Sequence, residues 1–270
     1  MRITDWDDAY ANGAYIPDTD RLMAAWLSRS EALRKAEASV VLRYGDRDRN
    51  HVDLYRPAGT PRGLIFYVHG GYWHLSSGRE QAFLAAGGLA RGFAVAMVSY
   101  TLAPDIRVSG ITAEVARALH RAAAEIAGPI YLTGHSAGGH LASRMMCEGV
   151  LGAELVARIA HVVSISGVHD LRPLLNTTMN EILRLDTAEA VAESPALQRP
   201  VNAARITCVV GSAERPEFLR QNDLLANIWT GLGADTAAVY LPGLHHFNVI
   251  DGLAEPDSAL MRLFVDHMVS

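Results

Sequence analysis

Short, nearly continuous apolar runs recur along the chain, separated by longer stretches in which apolar residues return every third or fourth position. Runs of the first kind suit strands covered on both faces, and stretches of the second kind suit amphipathic helices. The pattern predicts strands at Gly63–Val68, Phe93–Ser99, Ile130–Thr133, His161–Ser166, Ile206–Val210 and Thr236–Leu241. It predicts helices at Gln81–Arg91, Thr112–Ala127, from Gly139 to about Val150, at Glu217–Gly231 and at Asp257–Val269. Strands alternating with helices imply a mostly parallel sheet with right-handed crossovers and helices on both faces. Two earlier strands, Val40–Tyr44 and His51–Tyr55, flank the charged turn 45–50 and read as an antiparallel hairpin.

Two segments stand outside this rhythm. Residues 1–38 begin with an acidic, aromatic arm and continue as a helix in which Leu22, Trp26, Leu27 and Leu33 recur at helical spacing. Residues 168–200 are polar, weakly periodic and bounded by Pro173, Pro195 and Pro200. They read as a small cap inserted over the C-terminal edge of the sheet, where they would set the choice of leaving group. The whole of 1–270 is expected to form one domain.

The strand at Ile130–Thr133 runs directly into Gly134-His135-Ser136-Ala137-Gly138 and then into a helix. Strand, Gly-x-Ser-x-Gly and helix in succession are the nucleophile elbow of the α/β-hydrolase fold, which presents the serine on a strained turn. A serine hydroxyl needs a histidine to accept its proton and a carboxylate to orient that imidazole. In this fold the chain order is serine, acid, histidine. Ser136, Glu214 and His246 satisfy the order, each just beyond a predicted strand. Glu217 is the nearest rival acid but falls inside the following helix after Pro216, and Asp223 and Asp251 rank lower. His245 and His246 are adjacent and sequence alone does not separate them; His246 is preferred because His-Phe just before the last helix is the arrangement the fold generally shows. For the oxyanion, the N–H of Ala137 is one donor. The others are expected from Gly71 and Tyr72 within His69-Gly70-Gly71-Tyr72-Trp73, with Gly70 as the alternative.

Composition narrows the ligand. Acidic residues outnumber basic ones, 29 to 24, and no basic block or basic aromatic stripe suggests nucleic acid. Half of the residues are hydrophobic, ample for a large core, yet no apolar run approaches a membrane span. Cys147 and Cys208 fit no metal spacing, and the first residues have no signal-peptide core, so a reducing cytoplasmic setting is expected. The expected partner is a small-molecule substrate.

On these motifs the chain resembles kynurenine formamidase (arylformamidase) and the bacterial esterases most similar to it, neighbours of the hormone-sensitive-lipase type. His69-Gly70-Gly71-Tyr72-Trp73 stands where the general hydrolase shows His-Gly-Gly-Gly. Other similar stretches are Asp8-Ala9-Tyr10-Ala11-Asn12, Ser166 to Leu174, and Pro216-Glu217-Phe218. Two departures accompany them: Glu214 stands where the family usually has Asp, and His245 precedes His246. The resemblance implies hydrolysis of N-formyl-L-kynurenine to L-kynurenine and formate through a formyl-enzyme on Ser136, with no metal or cofactor. It also raises the expectation of a homodimer. Tyr72 and Trp73 would confine a small acyl pocket, and His245 would touch substrate. A carboxylesterase acting on short acyl or aryl esters is the first alternative. A binding protein on the same scaffold is the second; it predicts a missing triad member, and none is missing.

Overall fold

The computed structural model describes residues 3–201 and 204–266. Eight strands form one sheet: β1 (Ser39–Arg43), β2 (His51–Tyr55), β3 (Leu64–Val68), β4 (Ala94–Ser99), β5 (Ile130–His135), β6 (Ile159–Ile165), β7 (Arg205–Gly211) and β8 (Thr236–Leu241). Their order is β1-β2-β4-β3-β5-β6-β7-β8. β1 pairs antiparallel with β2, and β2 antiparallel with β4. Every pairing from β4 across to β8 is parallel. This is the mostly parallel sheet expected from the apolar runs and the α/β-hydrolase architecture expected from the serine elbow. The hairpin can turn in a few residues because its strands run antiparallel, whereas each parallel step needs a crossover.

Side chains alternate across β3, and the two faces build two separate cores. Leu64, Phe66 and Val68 pack with Val115, Leu119 and Leu141 on one face. Ile65 and Tyr67 pack with Trp26, Phe83 and Phe264 on the other. β3 and β4 are buried along their whole length, which accounts for their unbroken apolar sequence. At the sheet edge, Val40 and Val41 of β1 stay about half exposed.

Several boundaries differ from the sequence pattern. The helix expected at Thr112–Ala127 runs over Val108–Ala123, starting after the extended Arg107 and ending before Gly128, which sits at φ +89°. The stretch expected as one helix at Gln81–Arg91 is a 3₁₀ turn, Arg79–Leu84, followed by a short α-helix, Ala85–Ala90; Gln81 leaves helical geometry within the 3₁₀ turn. There its side chain accepts a 2.6 Å bond from the Tyr67 hydroxyl, a local reason for the break. The helix after the elbow stops at Arg144. The last helix is Ala259–Asp266, and residues 267–269 of the expected helix lie outside the described residues.

Residues 168–200 contain short helices at Asn180–Leu183 and Thr187–Ala192 and 3₁₀ turns at Arg172–Asn176 and Pro195–Leu197. Buried polar links fasten this segment sideways onto three helices. Thr112 donates to Glu193 at 2.6 Å, Arg144 pairs with Glu193 at 3.1 Å, and Trp229 Nε1 donates to the Pro195 carbonyl at 3.0 Å. The N-terminal helix Thr19–Ala36 lies instead on the 3₁₀ turn Arg79–Leu84, where Ser30 donates to the Glu80 carbonyl at 2.8 Å. Among the described residues, no helix is long and apolar enough to cross a membrane.

Candidate active site

β5 ends at His135, the helix Ala137–Arg144 begins two residues later, and Ser136 makes the turn between them at φ +55°, ψ −117°. That conformation is strained for a residue with a Cβ. The flanking glycines are required by space. A Cβ on Gly134 would lie 2.2 Å from the Gly138 carbonyl oxygen, and one on Gly138 would lie 2.0 Å from that of Val68. The turn is pinned by the Ser136 N–H, which donates to the Ile165 carbonyl at 2.8 Å.

Glu214 and His246 meet. His246 Nδ1–H donates to Glu214 Oε2 at 2.6 Å, while Glu214 Oε1 accepts from the Ser166 hydroxyl at 2.5 Å and the Gly211 N–H at 2.9 Å. The rival acids are engaged elsewhere. Glu217 accepts from Tyr10, Arg220 and Gln221; Asp223 accepts from Tyr240; Asp251 pairs with Arg29. His245 does not join the site. Its Nδ1 accepts the N–H groups of Phe247 and Asn248, so the ring closes its own turn instead of facing a substrate.

His135, the residue before the serine, was not singled out from the sequence. Its ring stacks tilted against His246 at 4.6 Å, and its Nε2–H donates to the His246 carbonyl at 2.8 Å. Burial, reinforced by the neighbouring His246, keeps it neutral by holding its pKa far below the usual histidine value. Its place inside the Gly-x-Ser-x-Gly stretch is the signal that marks it. Phe218 also packs against the His246 imidazole, ring centroids 4.4 Å apart.

Opposite Ser136, three successive residues take positive φ: Gly71 (+109°), Tyr72 (+51°) and Trp73 (+60°). The Gly71 carbonyl accepts from the His74 and Leu75 N–H groups, closing a tight turn. Within the described residues, the Gly71 and Tyr72 N–H groups donate to no protein acceptor. The Ala137 N–H opens the elbow helix, where helical pairing leaves it free. Tyr72 lines the cavity and its hydroxyl donates to the Tyr10 carbonyl at 2.8 Å. Trp73 does not line it. At 1% exposure its ring points into the core, and Nε1 donates to His140 Nδ1 at 3.1 Å.

Ser136 and His246 open onto one cavity of about 320 Å³, walled by Met23, Trp26, Leu27, Tyr72, Leu75 and Phe247, with Ser76, Glu80 and Gln81 beside them. Residues 168–200 contribute nothing to this wall. The cap expected there is held against the helices by its buried Glu193 links, and the N-terminal helix takes its place over the site.

Residues 52–210 match the family model described as BD-FAE. The chain belongs to the BD-FAE family. This BD-FAE member is 30% identical over 237 residues to kynurenine formamidase of Salmo salar, spanning 83% of this chain and 80% of the relative. The Danio rerio kynurenine formamidase is 30% identical over 233 residues, spanning 82% and 79%. Among solved structures, a Silicibacter sp. TM1040 protein provisionally described as a thioesterase superposes with a TM-score of 0.91 at 45% identity, covering 96% of this chain and 98% of its own. The Pyrobaculum calidifontis esterase, at TM-score 0.71 and 17% identity over 92% of this chain and 90% of its own, shares the fold. The BD-FAE chain is thus a kynurenine-formamidase-like α/β-hydrolase and a hydrolytic enzyme.

Proposed function

We propose that the chain hydrolyses N-formyl arylamides, with N-formyl-L-kynurenine giving L-kynurenine and formate as the representative reaction. Ser136 Oγ attacks the formyl carbon as His246 takes the hydroxyl proton, and Glu214 orients and stabilises the imidazolium that forms. The oxyanion is received by the N–H groups of Gly71, Tyr72 and Ala137, pre-arranged by the positive-φ turn and the helix start. His246 returns the proton to the leaving arylamine. Water then attacks the formyl ester, with His246 again as base, and formate departs.

The observation that carries this reading is the 2.6 Å His246–Glu214 pair beside Ser136, in a cavity whose wall includes Trp26, Tyr72 and Phe247. These rings supply flat apolar surface for an aryl leaving group. The two buried free thiols, Cys147 and Cys208, suit a cytoplasmic setting. A second reading, hydrolysis of short acyl or aryl esters, is favoured by the exposed apolar rim formed by Leu27 and Leu75.

The test is kcat/KM for N-formyl-L-kynurenine beside p-nitrophenyl acetate and butyrate, with Ser136→Ala as control. Strong preference for the formyl amide, abolished in the variant, is the expected result. Fast ester cleavage with negligible deformylation replaces the substrate assignment by the second reading.

A further inference from the structure

We propose that Ser166 is a positioning residue of this hydrolase: its hydroxyl anchors one oxygen of Glu214 so that the other is presented to His246. The proposal rests on the triad reading above and deepens it.

The first observation is a conformational cost in an unexpected place. Ser166 follows β6 at φ +50° and is fully buried, with its N–H donating to the Val209 carbonyl at 2.6 Å. Glycine adopts that region without steric penalty, and a residue with a Cβ does not. The chain places glycine one position later, where space demands it, because a Cβ on Gly167 would lie 2.2 Å from Ser164 Oγ. A strained serine kept beside a glycine points to a task for its hydroxyl.

The second observation is what that hydroxyl does. It donates to Glu214 Oε1 at 2.5 Å, on the oxygen that does not meet His246. Glutamate has one more rotatable bond than aspartate, so a carboxylate on this longer arm needs a second fixed point to hold its plane. The Gly211 N–H supplies one donor to Oε1 and Ser166 the other. Glu214 is 8% exposed, so water is a poor substitute for either.

The third observation ties the anchor to the nucleophile. The residue just before Ser166, Ile165, accepts the Ser136 N–H at 2.8 Å, and in the sheet it stands opposite Val209 of β7, whose loop carries Glu214. The end of β6 is therefore a common post for the serine elbow and the acid. Hydroxyl, carboxylate and imidazole form one hydrogen-bonded line, Ser166 Oγ–H to Glu214 to His246 Nδ1–H.

The test uses Ser166→Gly, which removes the hydroxyl while accepting the positive φ, in wild-type and Glu214→Asp backgrounds, with p-nitrophenyl acetate as substrate. Expected for Ser166→Gly are an unchanged or higher Tm, a kcat lower by about 10- to 100-fold with little change in KM, and loss or upfield movement of the low-field Nδ1–H proton resonance of His246. In the Glu214→Asp background the same substitution should cost much less, because the shorter arm no longer spans both partners. A folded Ser166→Gly enzyme with kcat within about twofold of wild type overturns the proposal, as does the same fold-loss in both backgrounds. Ser136→Ala separates the two levels. Silence in Ser136→Ala with full activity in Ser166→Gly refutes the anchor alone, and retained activity in Ser136→Ala refutes the triad reading together with it.

Discussion

Acidification should unfold this protein through histidines that take no part in proton transfer. His69, His140 and His169 are 0% exposed, and burial pushes the pKa of each from 6.5 down to about 3. A folded-state pKa below the unfolded one means that the unfolded chain binds the proton first, so the stabilisation is present above pH 6.5 and is lost as pH falls toward 3. Between pH 7 and pH 5 each unfolded histidine gains a proton that its folded counterpart refuses, which costs about 2 kcal/mol per residue. The three together lose about 6 kcal/mol, comparable with the entire stability of many domains. His135, also depressed by burial, adds in the same direction. Urea unfolding followed by circular dichroism at pH 7.5, 6.5, 5.5 and 5.0 should show stability falling by about 4 kcal/mol per pH unit below pH 6. His69→Gln should reduce that slope by about 1.4 kcal/mol per pH unit, whatever its effect on stability at neutral pH. A urea midpoint that stays level from pH 7 to 5 would mean instead that these rings accept protons inside the fold.

Two further substitutions separate chemistry from binding. Gly71→Ala places a Cβ 2.4 Å from the Leu75 carbonyl oxygen at φ +109°, so the turn must move and kcat should fall about 100-fold or more, measured at saturating substrate; an unchanged kcat removes this turn from oxyanion binding. Leu27→Ala trims a half-exposed side chain from the cavity wall and should raise KM for aryl substrates about fivefold with Tm unchanged, whereas Val191→Ala in the segment 168–200 leaves KM alone. Equal KM changes in the two variants would contradict the assignment of the wall to the N-terminal helix.

The parts of this molecule that were legible in the sequence are those governed by local pattern. β3 reads as Leu64-Ile65-Phe66-Tyr67-Val68 because both of its faces are covered, and the elbow reads as glycine, serine, glycine because backbone from β3 and the helix passes within reach of any Cβ. Chain order brought Ser136, Glu214 and His246 to the fore, and the folded chain brings Glu214 and His246 within hydrogen-bond reach and Ser136 and His246 onto one cavity. What escaped was decided by direction and by distant partners. Trp73 and Tyr72 are neighbours of similar chemistry, yet one joins the core and the other the cavity, a choice that no periodicity reveals. The role given to 168–200 went to residues 23–27 because Glu193 has buried partners on other helices, a three-dimensional fact. His245 and His246 were separable only once the turn around Asn248 was formed.

The wall supplied by the N-terminal helix gives the molecule an order of assembly. Arg29 and Asp251 pair across a separation of 222 residues, and Trp26 meets the ring of Phe247 at 5.9 Å. Closing so long a loop comes late in folding, because its entropic cost must be met before any of its contacts exist. During synthesis the sheet and the serine elbow can therefore organise while the substrate chamber is still open on one side. The chamber closes only after the loop carrying the base has emerged and the first helix has docked beside it. A nascent chain thus forms the serine turn before its base or its selective pocket exists, and both are in place only after the final docking step.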